Sequence, residues 1–101
     1  MATYITLWNY TQEGMANIKD GPSRLDAARA AFEDMGVIIK DFYLTMGQYD
    51  LVTVVEAPDD ATAARALLAT AAQGNVAGET LRAFTEDEYR EIIAASPLPI
   101  P

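Results

Sequence analysis

Thr45-Met46-Gly47-Gln48-Tyr49-Asp50-Leu51-Val52-Thr53-Val54-Val55 is the stretch from which the architecture can be read. A glycine followed by polar and acidic residues interrupts two runs rich in β-branched and aromatic side chains. That pattern predicts a β-hairpin, with residues 37–46 as one strand, a turn at Gly47-Gln48, and residues 49–56 as the next. In the first of these strands Ile38, Phe42 and Leu44 share one face. Ile39, Asp41, Tyr43 and Thr45 share the other. Lys40 falls on the apolar side, and a β-bulge there would turn it outward.

Upstream, residues 3–10 alternate, which predicts another strand. Ile5 and Leu7 point one way, and Tyr4, Thr6, Trp8 and Tyr10 the other. Residues 11–20 predict a short helical turn that breaks at Asp20-Gly21-Pro22. Pro22 suits a helix start, because its missing N–H would go unpaired there anyway. Leu25, Ala28, Phe32 and Met35 then fall on one helical face, and Gly36 stops the helix. Downstream, Ala57-Pro58-Asp59-Asp60 ends the third strand and opens an alanine-rich helix through Ala72, its acids matched to the helix dipole. Leu67 and Leu68 are its larger core candidates, and Gly74-Asn75 ends it.

Residues 78–84 predict a fourth strand. Thr85-Glu86-Asp87-Glu88 has the spacing of a capping box, flanked by Phe84 and Tyr89 as a hydrophobic staple. Ile92 and Ile93 give the last helix an apolar edge. Residues 96–101 read as an extended proline-rich tail after a single domain over 1–95.

The order is βαββαβ plus a C-terminal helix. It predicts an α+β, ferredoxin-like fold: a four-stranded antiparallel sheet with helices on one face. The helices are expected to cover Ile5 and Leu7. The other face would carry Tyr4, Thr6, Trp8 and Tyr10 beside Thr80, Arg82 and Phe84, or beside the alternate set in the other register, with Tyr43 and Thr45 joining. A bare aromatic face needs a cover. A second copy packed sheet to sheet supplies one, and the tail or last helix is the plainer alternative.

With 101 residues and a formal net charge of -8, the chain is acidic, and its seven cations are scattered. Nucleic acid and anionic membrane are therefore not expected partners. The chain has no His and no Cys. That removes imidazole-based triads and metal ligation, thiolate nucleophiles and disulfides. The six glycines form neither a dinucleotide fingerprint nor a phosphate loop. No signal peptide and no apolar run of about 18 residues is visible, so a cytoplasmic setting is expected. The acids at Asp59-Asp60 and at Glu86-Asp87-Glu88 read as helix N-terminal residues rather than metal ligands, and no cofactor is implied.

The candidate ligand-binding residues are Trp8, Tyr10, Lys40, Tyr43, Tyr49, Asp50 and Arg82. Apolar walls with a few polar groups suit a small organic ligand, and Arg82 could stack on Trp8. The plainer reading makes the aromatics interface core, has Arg82 pair with an acid such as Glu79 or Asp50 across a subunit boundary, and has Asp50 hold turn N–H groups. Lys19 and Arg24 flank Gly21-Pro22, where they would either grip an anion at a helix start or be solvated.

Several segments together resemble the GYD family of small bacterial and archaeal proteins. The first is Gly47-Gln48-Tyr49-Asp50, with one residue inserted after the glycine. Others are Tyr10-Thr11-Gln12-Glu13-Gly14, Asn17-Ile18-Lys19-Asp20-Gly21-Pro22, Glu56-Ala57-Pro58-Asp59-Asp60, Gly74-Asn75-Val76 and Glu79-Thr80-Leu81-Arg82-Ala83-Phe84. The resemblance covers residues 3–93 and implies a dimeric α/β-barrel assembly of ferredoxin-like subunits, without an agreed activity. The hairpin also resembles the effector-binding domain of leucine-responsive-type regulators, which implies ligand binding at subunit interfaces. Two function classes follow. One is a homo-oligomeric binding or accessory module. The other, from dimeric α/β-barrel relatives, is a cofactor-independent monooxygenase or lactone isomerase with Asp50 as base.

Overall fold

The structure, a computed structural model, describes residues 1–97 and 99. The strands are β1 (Ala2–Tyr10), β2 (Ile38–Leu44), β3 (Leu51–Ala57) and β4 (Val76–Ala83). The helices are α1 (Gln12–Ala16), α2 (Gly21–Asp34), α3 (Asp60–Ala71) and α4 (Glu86–Ala95), with a 3-10 turn at Ile18–Asp20. The strands form one antiparallel sheet in the order β2-β3-β1-β4. This is the expected ferredoxin-like arrangement. Of the expected tail, residues 98, 100 and 101 lie outside the described residues. Among the described residues no helix is long and apolar enough to cross a membrane.

The face expected under the helices is the wrong one. Tyr4, Thr6 and Trp8 are buried, whereas Ile5 and Leu7 are only half-buried. Tyr4, Phe32, Val37, Ile39, Val55, Ala57, Ala63 and Ala66 form the core. Alternation fixes that two faces exist but not which one turns inward. Each polar atom has a partner. Tyr4 Oη donates to Asp60, Thr6 Oγ1 lies 2.9 Å from Thr80 Oγ1, and Trp8 Nε1 donates to Thr53 Oγ1 at 3.0 Å. Paired in this way, these atoms go inside at little cost, and the rings bring large apolar area with them.

The bulge expected at Lys40 is present: the β2–β3 register shifts between Ile39 and Asp41. It changes the expected face groupings. Ile39 opposes Val55, Phe42 opposes Thr53 and Leu44 opposes Leu51, all on the helix side. Ile38, Asp41 and Tyr43 oppose Glu56, Val54 and Val52 on the open side. Lys40 itself is exposed and pairs with Glu56 at 3.4 Å.

α3 presents Thr62, Ala63 and Ala66 to the core. Leu67 is half-buried and Leu68 is 66% exposed, so small residues do what the leucines were expected to do. The substitution brings α3 close to the sheet. The capping box forms as expected: Glu88 N donates to Thr85 Oγ1 at 3.2 Å, and Thr85 N donates to Glu88 Oε1 at 2.9 Å. None of α4 is buried, and Phe84, Tyr89, Ile92 and Ile93 are all exposed.

Two of the sequence segments dock on each other. Thr11 N donates to Asn75 O at 3.0 Å, and Thr11 Oγ1 donates to Gly74 O at 2.6 Å. The same hydroxyl accepts from Gly14 N at 3.1 Å, capping α1. Gly14 must be glycine, because a Cβ there would stand 1.9 Å from Asn75 O.

Candidate functional site

α2 and the end of α3 stand apart over the sheet and leave a trough of about 620 Å³ between them. Its floor is Trp8 and Tyr10 from β1, Ile39, Phe42 and Leu44 from β2, Leu51 and Thr53 from β3, and Val76 from β4. One wall is α2, where alanines at 27, 28 and 31 keep the space open. The other is Ala69, Thr70 and Gln73. Leu44 in the floor is 73% exposed, which is the state of a surface that awaits cover.

Trp8 is the central residue of the floor. Its ring lies across Gly78 on β4, where a Cβ would come within 2.6 Å of it. The neighbouring strand thus gives up a side chain to seat the indole. Phe42 and Leu44 are in the floor only because the bulge at Lys40 turns them to this side.

The carboxylate of Asp50 shapes the trough from behind. Its Oδ2 accepts from Tyr10 N at 2.8 Å, and its own backbone N donates to Trp8 O at 2.8 Å. The turn closes independently, with Thr45 Oγ1 donating to Tyr49 O at 2.6 Å. Asp50 therefore ties the hairpin tip to the end of β1, not to the turn's own N–H groups. Tyr49 reaches β4 instead, where its hydroxyl donates to Glu79 at 3.2 Å. That bond holds the phenol proton above its ordinary pKa.

The sequence candidates thus separate. Trp8 and Tyr10 line the trough together. Tyr49 and Asp50 brace its end without lining it. Lys40 and Tyr43 lie on β2 at the sheet edge, pairing with Glu56 and opposing Val52. Arg82 belongs to another cluster. It sits over the rings of Phe84 and Tyr4 at 4.5 and 5.5 Å rather than over Trp8, and within the chain lies 3.9 Å from Asp60. The Asp60 carboxylate raises the pKa of the Tyr4 hydroxyl, first by its hydrogen bond. The neighbouring Asp59 caps α3, and the Thr62 N–H that it accepts holds its carboxyl below the ordinary range. Among the described residues no cluster of acids is arranged to hold a metal ion.

Sequence reasoning missed Arg24 as a trough residue, along with most of the α2 wall. The signal was present in the alanines at 27, 28 and 31 interleaved with Leu25 and Phe32, because a helix face rich in alanine packed over aromatic strands leaves room. Arg24 lines the trough and donates from Nη1 to Asn17 O at 2.9 Å.

Comparison with known proteins places the chain in a family. The GYD domain model matches residues 4–93. A Thermus thermophilus protein named glutamine synthetase and cystathionine beta-lyase binding protein is 40% identical over 85 residues, spanning 83% of this chain and 90% of that protein. No solved structure gives a significant match. With the match running from the first strand into the last helix, the chain belongs to the GYD domain family.

Proposed function

We propose that this chain is a homo-oligomeric accessory module, which holds a small, largely apolar ligand in the trough and associates through its open sheet face. The trough carries this reading. Its volume of about 620 Å³ lies in the range of small-molecule sites, and its walls are apolar with a few polar atoms at the margins. The open face supplies the assembly surface. Ile5, Leu7, Val52, Val54 and Leu81 are cross-strand neighbours there, bordered by Asp41, Glu56 and Glu79. An apolar centre with a charged rim is the composition of an interface. The surface differs from the aromatic one expected from sequence, but the argument for self-association is the same.

The Thermus thermophilus relative is named for binding two enzymes, and an accessory role toward an enzyme partner is proposed here by that likeness. A cytoplasmic setting goes with it. The alternative, a cofactor-independent enzyme, needs a proton acceptor in the trough. Asp50, the expected base, faces the Tyr10 N–H instead, so binding is favoured over turnover.

Native mass spectrometry of freshly purified protein, under gentle and then harsher desolvation, tests both halves. The expected result is a dimer or higher oligomer that carries a reproducible small added mass. A bare monomer at micromolar concentration overturns the proposal.

A further inference from the structure

The trough is chemically one-sided. The chain carries a net charge of -8, with 15 acidic residues. None of the 22 residues lining the trough is Asp or Glu, and one, Arg24, is cationic. On so acidic a surface the acid-free trough is a place where a ligand with one negative group is repelled less than elsewhere, and Arg24 is the charge there that attracts it.

Arg24 is also incompletely bonded. Nη1 donates to Asn17 O, while Nη2 is buried from water and donates to nothing. Among the described residues no carboxylate forms an ion pair with it. A charged donor in this state is costly, and a carboxylate oxygen is the partner that relieves it best. The same lining holds Gly21 and Pro22, the first residues of α2, whose N-terminus has no side-chain cap. The positive end of the helix dipole lies at that end too, offset by the Asp20 carboxylate at the N-cap position.

We infer that the trough binds an apolar monocarboxylate, with its carbon body over Trp8, Phe42 and Leu51 and its carboxylate on Arg24. The inference rests on the ligand-binding reading above and deepens it by naming the ligand class. Binding in this way requires the Arg24 side chain to turn so that Nη2 leaves its dry position for the incoming oxygen. A zwitterionic amino acid fits less well, because no acidic side chain lines the trough to receive its ammonium group.

The probes are octanoate, 1-octanol and octylamine, which share a body and differ in the head group. The chain has one tryptophan. It lies in the trough floor, so its emission reports occupancy directly, with calorimetry as the second readout. Octanoate is expected to bind about tenfold tighter than octanol, and octylamine weaker than either. Arg24→Gln should erase the preference for octanoate over octanol, and Arg24→Lys should keep part of it. Ala31→Phe, at an exposed position on the wall, should weaken all three. Equal binding of octanoate and octanol, or a preference that survives Arg24→Gln, overturns the carboxylate inference and leaves the trough standing. No binding of any probe to the wild-type protein overturns the trough as a ligand site altogether.

Discussion

The two faces of this sheet are built from the same four strands, yet they follow opposite rules. The covered face carries the chain's hydroxyls and large rings, Tyr4, Thr6, Trp8, Thr53 and Thr80, and buries them by pairing each polar atom. The open face carries plain aliphatics, Ile5, Leu7, Val52 and Val54, and leaves them half-exposed. Polarity of the residue type therefore does not tell inside from outside here. What decides is whether a neighbouring strand or helix offers a partner at the right register.

The sharpest way to break this contrast is Trp8→Ala. It empties the centre of the covered face and is expected to cost roughly 3–5 kcal/mol, read from urea unfolding. A loss below about 1 kcal/mol would mean that the trough floor, not the core, is what Trp8 serves. Thr80→Val is the next test. It keeps the shape but leaves Thr6 without its partner, so about 1–2 kcal/mol should be lost. The double variant Thr6→Val/Thr80→Val should recover much of that loss, since no polar group is then stranded.

Thr85→Ala removes the cap of α4 and should cost about 1 kcal/mol of helix stability. Because α4 buries nothing, the loss should appear as faster hydrogen exchange over 86–95 and hardly at all in global unfolding.

The open face should respond the other way. Val54→Lys is expected to change monomer stability by about 0.5 kcal/mol or less while shifting the oligomer to monomer in sedimentation. Large destabilisation of a monomer would show that this face is covered from within the chain.

The smallest expected effect is that of acid. Asp59 and Glu88 cap helices through backbone N–H bonds that hold their carboxyls below the ordinary values of 3.8 and 4.5. A lowered folded-state pKa means that the unfolded chain takes up the proton first. Their contribution is therefore fully present above those ordinary values and is lost as pH falls through the folded ones. The gap in thermal midpoint between wild type and Asp59→Ala/Glu88→Ala should close on acidification below about pH 4.

The same contrast explains what the sequence could be read for. Strand order and helix order were legible because hairpin, cap and glycine signals are local. So were the bulge at Lys40, the helix stop at Gly36 and the capping box at Thr85. The inward face was not, because it depends on pairs such as Tyr4 with Asp60, which are 56 residues apart. The trough was half legible. Trp8 and Tyr10 announced themselves as aromatics, but the space above them comes from alanines on a helix whose distance from the sheet no local pattern states. Arg24 entered the reading as an anion grip or a solvated cation, and only the third dimension puts it in the trough lining.

The position of β1 between β3 and β4 has a consequence for synthesis. Of these four strands, the first to leave the ribosome is the one whose partners arrive last. Tyr4 and Trp8 meet β3 only after residue 51 has been added, and β4 only after residue 76. At about 5–20 residues per second, this strand spends several seconds without a neighbour on either edge. Truncated chains ending before β4 should therefore be the aggregating species in translation-arrest experiments, and the full-length nascent chain the one that stays in solution.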